Sequence, residues 1–330
     1  MKRRTFLGAA TASLAATQLA QPASAAGSTA GHYTVVARFW GAMPTGVTVS
    51  RHGRIFVNFP RWGDDVPFTV AELRGGKPVA YPTAAVNRQD AADLAGHFQS
   101  VQSVVVDPAD RLWILDTGSP LFAGSSYGGP KLVAVDLRTN RIVRKILFPS
   151  GVVPANSYLN DVRFDLRRGA KGMAFITDSG APNSIIVVDL ASGRSWRRLA
   201  GHPSVLPDPD FVPMIDGQPF MVRPAGGEPT SYETGSDGIA LSADGLESDD
   251  KGRLYGGDLE HNAIWRRDPD GTYRTLAQGT DLNWIDTLSV ASDRYLYATA
   301  NRPTAHLRRR ARRLPGRPLA GRKSQHTVSL

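Results

Sequence analysis

The chain has 330 residues, enough for one large domain or two ordinary ones, and no cysteine, which excludes a disulfide framework and a thiolate zinc site. Its 33 Gly and 23 Pro favour an all-β protein of short strands and turns. The net charge of +9 sits at the two ends, because residues 27–301 hold 27 basic against 30 acidic residues; the body is mildly acidic and no specific nucleic-acid surface is expected of it.

Residues 1–26 read as a targeting segment. Arg3-Arg4 precede Phe6-Leu7, a weakly apolar Ala-rich run follows, and Ala23-Ser24-Ala25 supplies an A-x-A-like cleavage site. The pattern is that of a twin-arginine-type signal, so export to a periplasmic or extracellular location is expected. The apolar run is too short and too rich in Ala and Thr to be a membrane span.

From residue 27 to 301 one phrase recurs: an alternating strand, a turn of Asp, Ser or Gly, a basic or polar residue, then an aromatic-rich strand. It reads GVTVSRHGRIFVNF from Gly46, QSVVVDPADRLWILDTG from Gln102 and DVRFDLRRGAKGMAFITDSG from Asp161. It returns as DGIALSADG from Asp237, GLESDDKGRLYGGD from Gly245 and DTLSVASDRYLYATAN from Asp286. Each copy is a hairpin by its own chemistry, with period-2 apolar residues flanking turn residues. Second hairpins such as KLVAVDLRTNRIVRKILF (131–148) and SIIVVDLASGRSWRRL (184–199) lie between them, and two hairpins make the four-stranded blade of a propeller. A β-sandwich also strings short strands together; the fixed order of phrase and then "VDL" hairpin favours the propeller.

The phrases GVTVSRHGRIFVNFPRW (46–62), VQSVVVDPADRLWILDTG (101–118), YLNDVRFDLRRGAKGMAFITDSG (158–180) and LESDDKGRLYGGDLEHNAIWR (246–266) resemble those of the major royal jelly protein/Yellow family, in particular its exported bacterial members. The resemblance covers roughly residues 33–301. It implies a secreted six-bladed β-propeller, with relatives that include binders of small molecules, notably biogenic amines, and insect proteins tied to pigment chemistry. Two departures stand out. The copies starting at 237 and 245 are too close to hold a blade, and Ala243-Asp244-Gly245 serves both, as if one blade had been deleted between similar turns. After Asn301 the family's closing strand is replaced by residues 302–330, with nine basic residues and no acid, read as a basic, disordered tail from a shifted reading frame. A six-bladed ring with one blade deleted and its closing strand lost is therefore expected, with reduced stability.

In a propeller the innermost strands line the channel, so polar residues at the starts of inner strands, or just past their outer partners, are the binding candidates. These are Asn58, Asp116, Asn160, Asp161, Asp178, Asp237, Asn283, Asp286 and Asn301, with Phe59, Trp62, Tyr158 and Trp284 as aromatic neighbours. An acidic cup with aromatic walls suits a small, amine-bearing or aromatic ligand: carboxylates take the ammonium, and ring faces take the arene or the cation. The same Asp residues also suit a structural role, capping turns between blades. A metal-assisted lactonase-like hydrolase is the second expectation, with Asn160, Asp237 and Asp286 as oxygen ligands for Ca2+. A protein-interaction scaffold using the rim is a third. Gly124-Ser125-Ser126-Tyr127-Gly128 matches G-x-S-x-G, but a strand and not a helix follows, so it reads as a loop. Asp268-Pro269-Asp270-Gly271 reads as a hairpin turn, and His261 as a loop hydrogen-bonding residue.

Overall fold

The computed structural model describes residues 33–301, apart from 216, 223–226 and 238–245, together with residues 325–329. The expected export segment, the shared turn at 243–245 and the tail from 302 to 324 lie outside the described residues.

The phrases fold as the first two strands of four-stranded antiparallel sheets. The first sheet holds β2 (Gly46–Val49), β3 (Ile55–Asn58), β4 (Val70–Arg74) and β5 (Lys77–Ala80) in that order, after the N-terminal strand β1 (Val35–Trp40). The second holds β6 (Val101–Val106), β7 (Arg111–Asp116), β8 (Lys131–Asp136) and β9 (Arg141–Leu147). The third holds β10 (Leu159–Asp165), β11 (Met173–Asp178), β12 (Ser184–Asp189) and β13 (Ser195–Arg198). Next come two short ribbons, β14 (Met214–Ile215) with β15 (Gln218–Pro219) and β16 (Met221–Val222) with β17 (Thr230–Ser231). The fourth sheet holds β18 (Leu246–Ser248), β19 (Leu254–Asp258), β20 (Ala263–Arg267) and β21 (Tyr273–Gln278). Strands β22 (Ile285–Val290) and β23 (Leu296–Ala300) begin the last sheet.

First strands pack against one another around a ring: β10 beside β6, β6 beside β2, β2 beside β22, and β22 beside β18. This is a β-propeller with five four-stranded sheets, and the only α-helix among the described residues is a single turn, Ala84–Asn87. The interval 199–245, between the third and fourth sheets, holds only a 3-10 turn (Pro203–Val205) and the two ribbons among the described residues.

The last sheet differs from expectation. Strand β24 (Gln325–Ser329) lies between β1 and β23, pairing Trp40 with Gln325 on one side and Ala300 with Thr327 on the other. The place read as lost is filled by the one short stretch of the tail, His-Thr-Val-Ser, whose β-branched pair suits a strand. The ring is thereby closed by a strand from each end of the chain.

The cores lie between blades, so strands bury both faces. In β7, Leu112 and Ile114 join Phe56, Val101 and Val104 on the side of the first sheet. Trp113 and Leu115 join Leu159, Val162 and Ile176 on the side of the third. That double burial explains why RLWILD is a nearly continuous apolar run and not an alternating one. At full burial such side chains contribute about 1.5–3 kcal/mol each.

A candidate binding recess at the channel

Three of the innermost strands share an irregularity. The pairing register shifts between Val101 and Ser103 in β6, between Leu159 and Val162 in β10, and between Ile285 and Leu288 in β22. A bulge bends a strand and re-aims the residues it contains. Those residues are Gln102, Asn160 with Asp161, and Asp286 with Thr287. Together with Thr45, Ser103, Arg163 and Asp237 they line one recess.

The recess is strongly polar. It gathers three carboxylates (Asp161, Asp237, Asp286), two amides (Gln102, Asn160), three hydroxyls (Thr45, Ser103, Thr287) and one guanidinium (Arg163). Asp161 Oδ1 accepts from Ser103 Oγ at 2.9 Å, from its neighbour's Val162 N–H at 2.8 Å and from Arg163 Nη1 at 2.8 Å. Arg163 Nη1 also donates to the Val162 carbonyl at 3.0 Å, and Nη2 to the Leu246 carbonyl at 2.5 Å. The last bond ties β10 to β18 across the shortened interval. Asp286 Oδ2 accepts from Asn301 Nδ2 at 3.3 Å, Thr45 Oγ donates to the Gln102 carbonyl at 3.0 Å, and Thr287 Oγ1 donates to the Thr45 carbonyl. Glu247, on β18, adds a fourth acid nearby. Burial raises its carboxyl above the usual range, a push partly opposed by the positive charge of Arg163. Burial pulls the Arg163 guanidinium down, but the charges of Asp161 and Glu247 outweigh it and raise the group above its ordinary value.

An aromatic wall adjoins these acids. Trp62 stacks on Phe122 with ring centroids 5.5 Å apart, and Phe122 packs on Tyr158 at 5.1 Å. Trp62 Nε1 donates to the Tyr158 hydroxyl at 2.6 Å, which in turn donates to Gln102 Oε1 at 2.9 Å, so the wall is bonded to a residue of the recess. Burial pushes the Tyr158 phenol well up; the Trp62 hydrogen bond works against that, and the negative charges of Asp237 and Asp286 add to it. Phe122 is 62% exposed, and Leu121 and Phe122 both hold left-handed backbone, at φ 56° and 57°. Two successive non-glycine residues in that region are strained.

Of the residues expected from sequence, the structure brings Asn160, Asp161, Asp237 and Asp286 into the recess, and Trp62 and Tyr158 into the adjoining wall. The others stand elsewhere. Asp116 is fully buried, accepts the N–H groups of Gln99, Ser100 and Gly118, and pairs with Lys131 Nζ at 2.8 Å. Asp178 repeats that arrangement with Tyr158 N–H, Gly180 N–H and Arg197 Nη1 at 2.7 Å. Both DTG and DSG therefore cap turns beside their own sheets, the structural alternative. Asn58 is buried and donates to Thr45 Oγ1 and the Val101 carbonyl, and Phe59 sits in the core against Phe39 and Phe68. Asn283 donates to Asn262 Oδ1 at 2.7 Å, and Trp284 packs edge-on against Phe220 at 5.0 Å. Asn301 lies behind Asp286, its amide also donating to the Pro44 carbonyl at 3.2 Å. His261 Nδ1 meets Asp258 Oδ2 at 2.9 Å in an exposed loop.

Thr45, Gln102, Ser103, Arg163 and Thr287 were not among the expected residues. A signal for three of them exists: the inner strands read V-QS-VVV, L-ND-VRF and I-DT-LSV, each with a polar pair interrupting an apolar run at the bulge. Arg163 offers no such signal, since a strand Arg ordinarily reads as solvent-facing.

Asn160, Asp237 and Asp286 carry oxygen donors of the kind Ca2+ takes, but Ca2+ wants six to eight of them. Among the described residues no group of three or more His, Asp or Glu stands close enough to hold a metal ion. The Arg163 guanidinium in the same recess further disfavours a divalent cation.

Residues 99–242 match the family described as Major royal jelly protein. The chain is 28% identical over 177 residues to "Protein yellow" of Drosophila pseudoobscura pseudoobscura, covering 51% of this chain and 31% of that protein. It is 28% identical over the same length to "Protein yellow" of Drosophila melanogaster, covering 51% and 32%. The matched stretch thus spans about a third of these relatives. Among solved structures the chain is similar to a streptogramin B lyase (12% identity, TM-score 0.47, 91% of this chain and 97% of that one). It is also similar to a calcium-binding protein, regucalcin, from Agrobacterium tumefaciens (14% identity, TM-score 0.47, 89% and 93%). Both likenesses are too distant to carry chemistry across.

Proposed function

The chain belongs to the major royal jelly protein/Yellow family, and from that premise we propose that it is an exported propeller that binds a small ammonium-bearing ligand with an aromatic group in its channel recess. The observation that carries this reading is the convergence of Asp161, Asp237 and Asp286 on one recess bonded to the Trp62–Phe122–Tyr158 wall. Three carboxylates and one guanidinium line the recess, so that a cation entering it would meet acidic side chains while its arene meets ring faces.

Isothermal titration separates the charge from the ring. Phenethylamine is expected to give saturable heat at one site per chain, and its neutral isostere 2-phenylethanol none. Asp286→Asn is expected to weaken the amine at least tenfold. Absence of saturable heat with the amine, or equal heat with the alcohol, would sink the reading. Lactone hydrolysis that EDTA abolishes and Ca2+ restores would replace it with the hydrolase.

Export is proposed on the Arg3-Arg4 segment and its Ala23-Ser24-Ala25 site. The native chain is expected outside the bacterial cytoplasm and the doubly substituted Arg3→Lys, Arg4→Lys chain inside; equal fractionation of the two would refute it.

A further inference from the structure

The phrase that builds the inner hairpins also sets the charge of one end of the ring. The tight turns of the first three sheets span 50–54, 74–77, 107–111, 136–141, 165–171 and 189–194. They contain eleven Lys or Arg and five Asp, within a body that is mildly acidic. Register places both turns of each sheet at one end: Ile55 pairs with Leu73, Arg111 with Asp136, and Met173 with Asp189. Contacts between sheets join these ends. Ser292 Oγ, in the turn from β22 to β23, donates to the Arg51 carbonyl at 3.3 Å, and Arg51 Nε lies 3.6 Å from Asp110 Oδ2. Arg54 Nη1 donates to the Leu137 carbonyl at 2.7 Å, and Arg144 Nη2 to the Ala191 carbonyl at 3.1 Å. The turns of the last, first, second and third sheets therefore form one continuous surface.

The two signs are not equally presented there. The Asp110 side chain is 10% exposed against 63% for Arg51, and that of Asp165 is 19% exposed against 91% for Arg167. The carboxylates are drawn inward by the N–H groups of their own turns: Asp107 by Ala109 and Arg111, Asp165 by Arg167, Asp189 by Ala191 and Ser192. The bases reach outward, and Arg138, Arg141, Lys171 and Arg194 are exposed as well. A surface that sinks its carboxylates and shows its bases carries a positive field beyond its net count. Tyr295, 58% exposed, stands in the same surface, in the turn that bonds Arg51.

We propose that this end of the ring docks on the anionic headgroups of a phospholipid bilayer. A bilayer is a plane of phosphates, and a surface built of turns from four sheets meets it broadly. A nucleic-acid duplex is instead read by a helix or ribbon that enters its groove, and this end projects neither. The bases supply the attraction, and Tyr295 is of the amphipathic type that settles at headgroup level. The recess is lined by residues at the starts of inner strands, whereas these turns follow the ends of the same strands. A docked ring would hold the recess away from the lipid, whatever the recess binds.

The test is flotation of the full chain with vesicles at about 0.1 M salt, where charges are screened beyond about 10 Å. The chain is expected to float with vesicles of equal phosphatidylglycerol and phosphatidylcholine, and not with phosphatidylcholine alone. Because residues 302–330 are also basic, two triple variants of equal charge separate the sources. One carries Arg138→Gln, Lys171→Gln and Arg194→Gln; the other carries Arg308→Gln, Arg309→Gln and Arg310→Gln. The first is expected to weaken binding roughly tenfold and the second by less than about twofold. Single turn variants, expected to lose about twofold each, keep the comparison decisive where the triple variant melts early. Binding unchanged in the turn variants, or an equal loss in the tail variant, overturns the docking face. Flotation with neutral vesicles as well, or with neither kind, does the same. Release from the vesicles by duplex DNA, dependent on the same three turn residues, replaces the bilayer with nucleic acid.

Discussion

At the residue scale, one kind of aspartate explains the repeated phrase. Asp107 Oδ1 accepts the N–H groups of Ala109 and Arg111, and its Oδ2 accepts from Arg111 Nε and Trp113 Nε1. Asp249 does the same with the N–H groups of Lys251 and Arg253, with Arg253 Nε and with the Tyr255 hydroxyl. One carboxylate closes the turn, pairs with the base four residues on and receives the aromatic six residues on. Burial works against the charged form of Asp249, yet the Arg253, Lys251 and Tyr255 hydrogen bonds hold its carboxyl at about 2. An unfolded Asp titrates near ~3.9. The folded value is depressed, so this group stabilises the fold fully above about pH 4, and the contribution is lost as pH falls toward about 2. Urea unfolding from pH 6 to pH 2 is expected to show Asp249→Asn less stable than the parent at pH 6, with the gap closing between pH 4 and pH 2. A gap that stays constant through that window would show that the carboxylate's charge contributes nothing.

At the scale of the element, the sequence made the sheets plain and the recess only partly so. Strands such as RLWILD and KLVAVD were legible because both faces are buried between blades and turn residues bound them. Asn160, Asp161 and Asp286 were legible as polar residues opening an inner strand. Asp116 and Asp178 share that polarity but end the second strand, where the carboxylate bonds backbone N–H groups and a buried base takes its charge. Residue type could not separate the two, since a capping Asp and a ligand-facing Asp differ only in what surrounds them. The discriminating feature is the bulge, a property of pairing between two strands and so of register, which a single strand's pattern does not contain. Arg163 stayed hidden for a related reason: its Leu246 partner is 83 residues away along the chain and meets it only once the ring is formed.

At the scale of the whole molecule, closure decides what a shortened ring can tolerate. The last sheet takes strands from both ends of the chain, with β1 outermost and β24 between it and β23, so that the two ends hold each other. Removing β24 would unpair both neighbours at once and leave backbone N–H and C=O groups of β1 and β23 without partners. Two open edges of this kind are templates for pairing with another chain. Beneath them lies a core of Ala37, Phe39, Val47, Val57, Phe59 and Tyr297, which depends on β1 staying in place. A chain ending at Asn301 is therefore expected to melt several degrees below the full chain, with loss of the folded signal steeper at higher protein concentration and growth of large species in light scattering. A chain ending at Ser324 should behave like it, because it too lacks β24. If both truncated chains melt and scatter as the full chain does, the last five paired residues contribute nothing to closure, and β1 must hold its place by side-chain packing alone.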